Sequence, residues 1–193
     1  MKYLVILLLI IALYHSISFS QSKAESTKTI TFQGFDFGTS KNLILSKYKK
    51  QIKAGKDGDL SFSGNVINLD CEILFSFYQN KLCAGYYLFT VKHSNQNLYI
   101  NDYKKIADAI TEKYGKPTRD DEDWSDELYK DDPSHYGFAV SLGHLTYFSS
   151  WHDHKGNLIY LNLSGDNYTV NLGVIYRDNI YYPQQKAEEK NDF

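Results

Sequence analysis

The chain contains little of several residues and motifs that mark common classes of protein. Two cysteines among 193 residues allow at most one disulfide, and the net charge of −2 carries no basic excess. A dedicated nucleic-acid binder normally has such an excess, so we expect no nucleic-acid partner. The nucleophile elbow G-x-S-x-G, the P-loop, H-E-x-x-H and C-x-x-C are all absent from the sequence. Their absence argues against the common hydrolases and predicts no cofactor.

Long apolar runs are also scarce, and the one present lies at the start of the chain. Leu4–Leu13 follows Lys2 and precedes the small residues Ser18 and Ser20. This is the layout of a secretory signal peptide that is cleaved after Ser20, with Ala24 as a second possible site. The run is shorter than the ~20 residues that span a bilayer. The sequence therefore predicts a signal peptide over residues 1–20, a secreted or periplasmic protein, and no transmembrane segment in the mature chain.

The mature part is long enough for one domain. We expect a flexible leader over residues 21–28, a single α+β domain over residues 29–182 and a charged, disordered tail over residues 183–193. Hydrophobic residues make up 42% of the chain, which is enough for a core.

Two helices are predicted. Gly38-Thr39-Ser40 offers capping hydroxyls before a helix over Lys41–Lys53. The second helix, Asp102–Tyr114, is followed by Gly115 and Pro117, the usual order of C-terminal signals. Apolar residues at helical spacing give each helix one buried stripe; they are Ile44, Tyr48 and Ile52 in the first and Tyr103, Ile106, Ala107, Ile110 and Tyr114 in the second.

Alternating apolar residues predict antiparallel strands elsewhere. The segments are Thr29–Phe37, Leu60–Phe62, Val66–Leu69, Cys71–Tyr78, Leu82–Lys92, Tyr136–Leu142, His144–Trp151, Leu158–Leu163 and Thr169–Arg177. A turn near Gln79-Asn80 would place Cys71 opposite Leu88 and Cys83 near Ser76. The two cysteines are then too far apart to form a disulfide.

This order of elements predicts an α+β fold in which two helices pack on one face of an antiparallel sheet. Residues 29–92 and 98–182 each contain a helix and a hairpin, which suggests two degenerate repeats. The layout resembles that of small exported inhibitor and assembly proteins built from tandem helix-plus-sheet repeats, such as the β-lactamase inhibitory proteins. The resemblance covers element order alone and implies no site residues.

An acidic segment, 119–132, is the first candidate site. It is predicted to be a loop, and its charge could steer a partner onto the surface. Its spacing fits a calcium loop poorly, because Asp126 falls where the sharp turn needs glycine. The binding candidates are Asp120, Asp121, Glu122, Asp123, Trp124, Asp126 and Glu127.

His152-Asp153-His154 is the candidate metal site. Two histidines one residue apart project the same way from an extended segment, and Asp153 or His144 could add a third ligand for zinc. A polar hairpin turn is the competing interpretation, because Lys155-Gly156-Asn157 follows at once.

Exposed aromatic rings could instead form a platform for sugars. Tyr86 and Tyr87 face opposite sides of their strand, so only one of them can lie in the core. Trp124 could be exposed or tucked against the sheet.

Three hypotheses follow from these patterns. The first is a non-catalytic module that binds an unknown protein or cell-envelope component through the open sheet face and the acidic segment. The second is a metal-dependent enzyme that uses His152, Asp153 and His154. The third is a carbohydrate-binding module that uses exposed aromatics.

Overall fold

The computed structural model describes residues 28–48, 53–54 and 58–191 of the chain. The predicted signal peptide and nearly all of the predicted leader lie outside the described residues, as does Ile52 of the first predicted helix. In chain order, the helices and strands are α1 (Lys41–Lys47), β1 (Lys53–Ala54), β2 (Leu60–Val66), β3 (Leu69–Tyr78), β4 (Lys81–Phe89), α2 (Asn97–Tyr114), β5 (Arg119–Trp124), a 3₁₀ turn (Pro133–His135), α3 (Tyr136–Leu142), β6 (Leu145–His152), β7 (Leu158–Asp166), β8 (Thr169–Arg177) and α4 (Tyr181–Asn191).

All eight strands of the described chain belong to one antiparallel sheet. Their order across the sheet is β1-β2-β3-β4-β8-β7-β6-β5. The two halves of the chain therefore meet at the β4–β8 pair, and β5 and the two-residue β1 form the outer edges. The predicted α+β class and antiparallel sheet are confirmed.

Two-residue turns connect three of the hairpins. Both turn residues have positive φ in each case, between 46° and 64°. Such turns match the twist of the flanking strands. The turns are Ile67-Asn68, Gln79-Asn80 and Asn167-Tyr168.

One face of the sheet is covered and carries the core. The helices α2 and α3 pack on this face against β7 and β8. The segment before α1 covers the other half of the same face, where the buried ring of Phe32 lies 5.0 Å from the rings of Phe75 and Tyr87. The predicted stripe of α2 is buried at Ile106 and Ile110. This stripe holds the helix on the sheet by burial of apolar surface.

The helix α4 lies on the opposite face, so the helices are not confined to one side as the sequence predicted. It contacts β3 and β4, and Gln185 hydrogen-bonds to the Ser76 hydroxyl at 3.2 Å. Ser76 follows the core residue Phe75 and thus points away from the core. The tail that was predicted to be disordered is helical through Asn191. Asp178 caps the start of this helix, because it accepts hydrogen bonds from the amides of Ile180, Tyr181 and Tyr182.

Tyr136–Leu142 was predicted to be a strand and is the helix α3. Its buried positions Gly137, Val140 and Ser141 have helical spacing. A β-carbon on Gly137 would lie 2.2 Å from the backbone carbon of Gln96, so only glycine lets α3 approach the start of α2 this closely. Gly143 ends the helix in the left-handed conformation.

Other bounds also differ from the sequence prediction, and α2 begins at Asn97 rather than at Asp102. The segment Thr29–Phe37 forms a tight turn, in which Phe32 and Phe35 exchange backbone hydrogen bonds, rather than a strand. The helix α1 ends at Lys47, before the predicted Lys53. Val66–Leu69 is the turn between β2 and β3, because Ile67 and Asn68 both have positive φ.

Candidate functional site on the open sheet face

The face of the sheet opposite α2 and α3, which we call the open face, carries a depression of about 310 Å³. Its walls come from three neighbouring strands, because Tyr86 on β4 and Tyr160 on β7 both pair with Ile175 on β8. Leu88, at the rim, is 46% exposed. The lining contains no charged residue; it includes Tyr86, Leu88, Tyr160, Asn162, Asn171 and Ile175.

A row of rings and arginines runs across the open face from Tyr160, in the wall of the depression, to the edge strand β5. Phe148 and Tyr160 contact each other with ring centroids 5.6 Å apart. The guanidinium of Arg119 lies 5.2 Å from the Phe148 ring, and that of Arg177 lies 4.3 Å from the Tyr160 ring. These are the only two arginines in the sequence, and both make cation–π contacts on this face.

The helix α4 closes one side of the open face. Its Tyr182 ring lies 5.2 Å from the Arg177 guanidinium. The Cys83 thiol, fully buried, donates to the Gln185 side chain at 3.3 Å. Burial raises the pKa of the Cys83 thiol to about 12, so this thiol is un-ionised near neutral pH. The depression thus lies beside α4, over β8 and its neighbours.

The acidic segment is not one loop, and its candidates are divided between two faces. Residues 119–124 form the edge strand β5, paired with β6. Asp120 and Glu122 pair with core-side positions of β6, whereas Asp121 and Asp123 point to the open face. Asp126 and Glu127 lie in the following loop, where Glu127 pairs with Lys130.

The two faces of β5 give its acids different surroundings. Asp120 accepts a hydrogen bond from the Ser149 hydroxyl at 2.6 Å, and Ser149 contacts the Tyr103 hydroxyl at 2.5 Å. Because a carboxylate only accepts, Tyr103 donates to Ser149, which donates to Asp120. Burial raises the pKa of Tyr103 to about 12, which keeps this donor protonated. The chain of hydrogen bonds ties β5 to α2, so Asp120 supports the fold.

Charge on β5 also has a structural explanation. One side of the strand pairs with β6, and an edge strand with unpaired backbone groups can join another chain. Charged side chains on such an edge oppose this pairing. The high density of acids therefore does not by itself indicate a ligand.

Of the predicted aromatic candidates, Tyr86 alone faces the depression. Tyr87 is on the core side, where its hydroxyl accepts from Gln33 at 3.0 Å. Trp124 is half-buried, and its ring contacts Tyr136 at 5.1 Å. The expectation that Tyr86 and Tyr87 face opposite sides agrees with the strand geometry.

The candidate metal segment forms the turn between β6 and β7. Asp153 is 2% exposed and accepts four hydrogen bonds, from the amides of Ile30, Lys155 and Asn157 and from the Asn157 side chain. His154 is exposed. His144 precedes the first residue of β6 and His152 ends that strand, so at ~3.3 Å per residue they are far too distant to share a metal.

No group of three or more His, Cys, Asp or Glu side chains that could hold a metal occurs among the described residues. The use of Asp153 as a metal ligand would require it to give up hydrogen bonds that fix the turn. The turn interpretation thus accounts for the geometry of this segment.

Sequence reasoning missed most of the residues in and beside the depression, including Leu88, Tyr160 and Arg177. The detectable signal was a break in alternation: Leu88 and Ile175 are apolar residues at positions where β4 and β8 should face solvent. Asp178 was missed as well, although an aspartate shortly before a helix with Pro183 in its first turn is a capping signal.

Comparisons with known proteins add no assignment. The sequence matches no family model, and neither a curated protein nor a solved structure matches it significantly. Within the described part of the chain, no helix has the length and apolar content needed to cross a membrane.

Proposed function

We propose that this protein is a non-catalytic binding module that holds a protein or cell-envelope partner on its open face. The supporting observation is an uncharged depression on a sheet face that α2 and α3 leave uncovered. Tyr86, Leu88 and Ile175 place apolar and aromatic surface where an ordinary two-layer fold would present polar residues. Interfaces are depleted in charge at their centre and enriched in tyrosine and arginine, which matches this surface.

The proposal includes export and an internal duplication. Export follows from the signal peptide predicted over residues 1–20, so the partner would be met outside the cytoplasm. The duplication is supported by strand order, because β1–β4 and β5–β8 run from opposite edges and meet at β4–β8. The helix α1 precedes the first set of four strands. The helix α2 precedes the second set, and α3 lies between β5 and β6. Superposition of residues 29–92 on residues 98–182 tests the duplication directly.

Site-specific photo-crosslinking tests the binding face. A benzophenone side chain is placed at Leu88, on the open face, and in a matched variant at Leu98, which is 40% exposed on α2. We expect crosslinking in cells that produce the protein to give one dominant adduct from position 88, and the purified partner to bind the unmodified protein. Adducts from position 98 alone, or none from position 88, would contradict the proposal.

A further inference from the structure

We infer that the partner is a protein segment that presents a large apolar side chain next to a carboxylate. The apolar side chain occupies the depression and the carboxylate pairs with Arg177. This inference rests on the proposed function, because it specifies what the open face binds.

Arg177 is held in place by two rings. Its guanidinium lies between Tyr160 and Tyr182, 4.3 Å and 5.2 Å from the ring centroids, and it donates one hydrogen bond to the Tyr160 hydroxyl. Among the described residues no carboxylate forms a salt bridge with it. A guanidinium carries five N–H donors in a rigid fork suited to a carboxylate. The Arg177 guanidinium is held in place and has no anionic partner among the described residues, so it can bind an anion from a partner.

The second arginine provides the contrast within the same face. Arg119 also contacts a ring, that of Phe148, but its guanidinium pairs with Asp121. Its charge is thus already matched, and it lies on the edge strand β5. Arg119 already has a carboxylate partner and Arg177 has none among the described residues, so Arg119 serves as the control.

The depression and Arg177 are joined through Tyr160. The Tyr160 side chain lines the depression and also accepts the hydrogen bond from Arg177. A ligand that fills the depression therefore ends beside the guanidinium. The volume of about 310 Å³ is near the lower end of the ~300–1,000 Å³ typical of ligand pockets, which fits one or two apolar groups rather than an extended chain.

The acidic side chains of the open face do not line the depression. Glu72 pairs with Leu88 at the rim and accepts a hydrogen bond from Ser63, and Asp70 lies two residues further along β3 and accepts one from Asn65. The lining of the depression carries no acid that would repel a carboxylate. Tyrosine and arginine together are also the residues that dominate binding energy at protein interfaces.

The test uses short random peptides displayed on phage and selected against the full-length mature protein. We expect selected peptides to carry aspartate or glutamate next to a large apolar residue. Synthetic versions should bind Arg177→Gln about tenfold or more weakly than the wild type, since a charge-assisted bidentate pair is lost. Arg177→Lys should bind with intermediate affinity. Added salt should weaken wild-type binding more than binding by Arg177→Gln.

Matched variants separate the inference from the proposed function. Arg119→Gln removes the same charge from the same face and should leave peptide affinity unchanged. Leu88→Ser should weaken the peptides, while Leu98→Ser should not. Thermal melts and circular dichroism of every variant establish that the fold and α4 persist. If Arg177→Gln fails this control, Arg177→Lys is used in its place.

The possible failures are distinguishable. Peptides that need Leu88 but lack acids and bind Arg177→Gln normally would overturn the carboxylate inference and leave the open face as the site. If the peptides bind Leu88→Ser as tightly as the wild type and crosslinking at position 88 fails, both the inference and the proposed function are overturned. The inference of a protein segment is wrong if no peptide is selected. It is also wrong if the protein instead binds glycans on an array and Leu88→Ser abolishes this binding.

Discussion

Replacement of Asp153 by asparagine should destabilise the protein by about 2–4 kcal/mol, although the two side chains have nearly the same shape. Asp153 is 2% exposed and lies in the turn between β6 and β7. One carboxylate oxygen accepts from the Ile30 amide at 2.8 Å and from the Asn157 side chain at 3.0 Å. The other accepts from the amides of Lys155 and Asn157, both at 2.9 Å.

The magnitude follows from this four-donor arrangement. An asparagine amide can accept on one side only, so in either orientation its NH₂ group opposes two donors. Each buried donor left without an acceptor costs about 1–3 kcal/mol, and the chain can choose the less costly orientation. Loss of the bond to Ile30 would also release the segment before α1, which fills half of the core-side face.

Urea unfolding followed by tryptophan fluorescence measures the effect. We expect a lower midpoint with an unchanged slope, because the surface exposed on unfolding stays the same. The matched control is His154→Asn, which changes the neighbouring exposed residue and should cost less than about 0.5 kcal/mol. A loss below about 0.5 kcal/mol for Asp153→Asn would refute the inference that the four hydrogen bonds to Asp153 stabilise this turn. If zinc raised the midpoint of the wild type but not of His154→Asn, the metal hypothesis would be favoured instead.

The remaining predictions concern the core, the thiols and the sheet edge. Ile110→Ala should lower the free energy of unfolding by about 2–5 kcal/mol, because a buried side chain on α2 leaves a cavity; a loss under about 0.5 kcal/mol in urea unfolding would place that face in solvent. Burial raises the pKa of Cys71 to about 11 and that of Cys83 to about 12. Iodoacetamide at pH 8 should therefore label both thiols slowly in the folded protein and quickly in guanidinium. Detection of a Cys71–Cys83 disulfide by mass spectrometry would contradict the register of β3 and β4. Replacement of Asp121 and Asp123 by asparagine should promote self-association through β5, seen as an earlier peak in size-exclusion chromatography; an unchanged monomer peak would show that the acids do not protect this edge.

Much of the secondary structure was predictable because the controlling interactions are local. The stripe of α2 and its glycine stop follow from helical spacing and backbone conformation within a few residues. The hairpin of β3 and β4 was predicted to within one residue, since Cys71 pairs with Phe89 rather than Leu88. The strands β7 and β8 agree for the same reason, because alternation along each strand reports which side is buried.

The errors occurred where distant residues decide the local structure. The segment Tyr136–Leu142 was predicted to be a strand but is helical. Its Gly137 packs against the start of α2, a contact with residues distant in the sequence. The acidic segment became a strand because β6 offers it a hydrogen-bonding partner, which outweighs the low strand propensity of aspartate and glutamate. Ile67-Asn68 lacks the glycine that usually marks a turn with positive φ.

Local patterns along the chain are sufficient to predict the α+β class, most of α2, the central hairpins and the burial of one face of the sheet. Which polar residues meet depends on the packing of the whole domain. It placed Asp153 in a turn, divided the acids of β5 between two faces, and brought Tyr160, Arg177 and Tyr182 together at the rim of the open face. The physical reason is that spacing along the chain sets the direction of each side chain, whereas its neighbours depend on strand order and register, which the whole core selects at once.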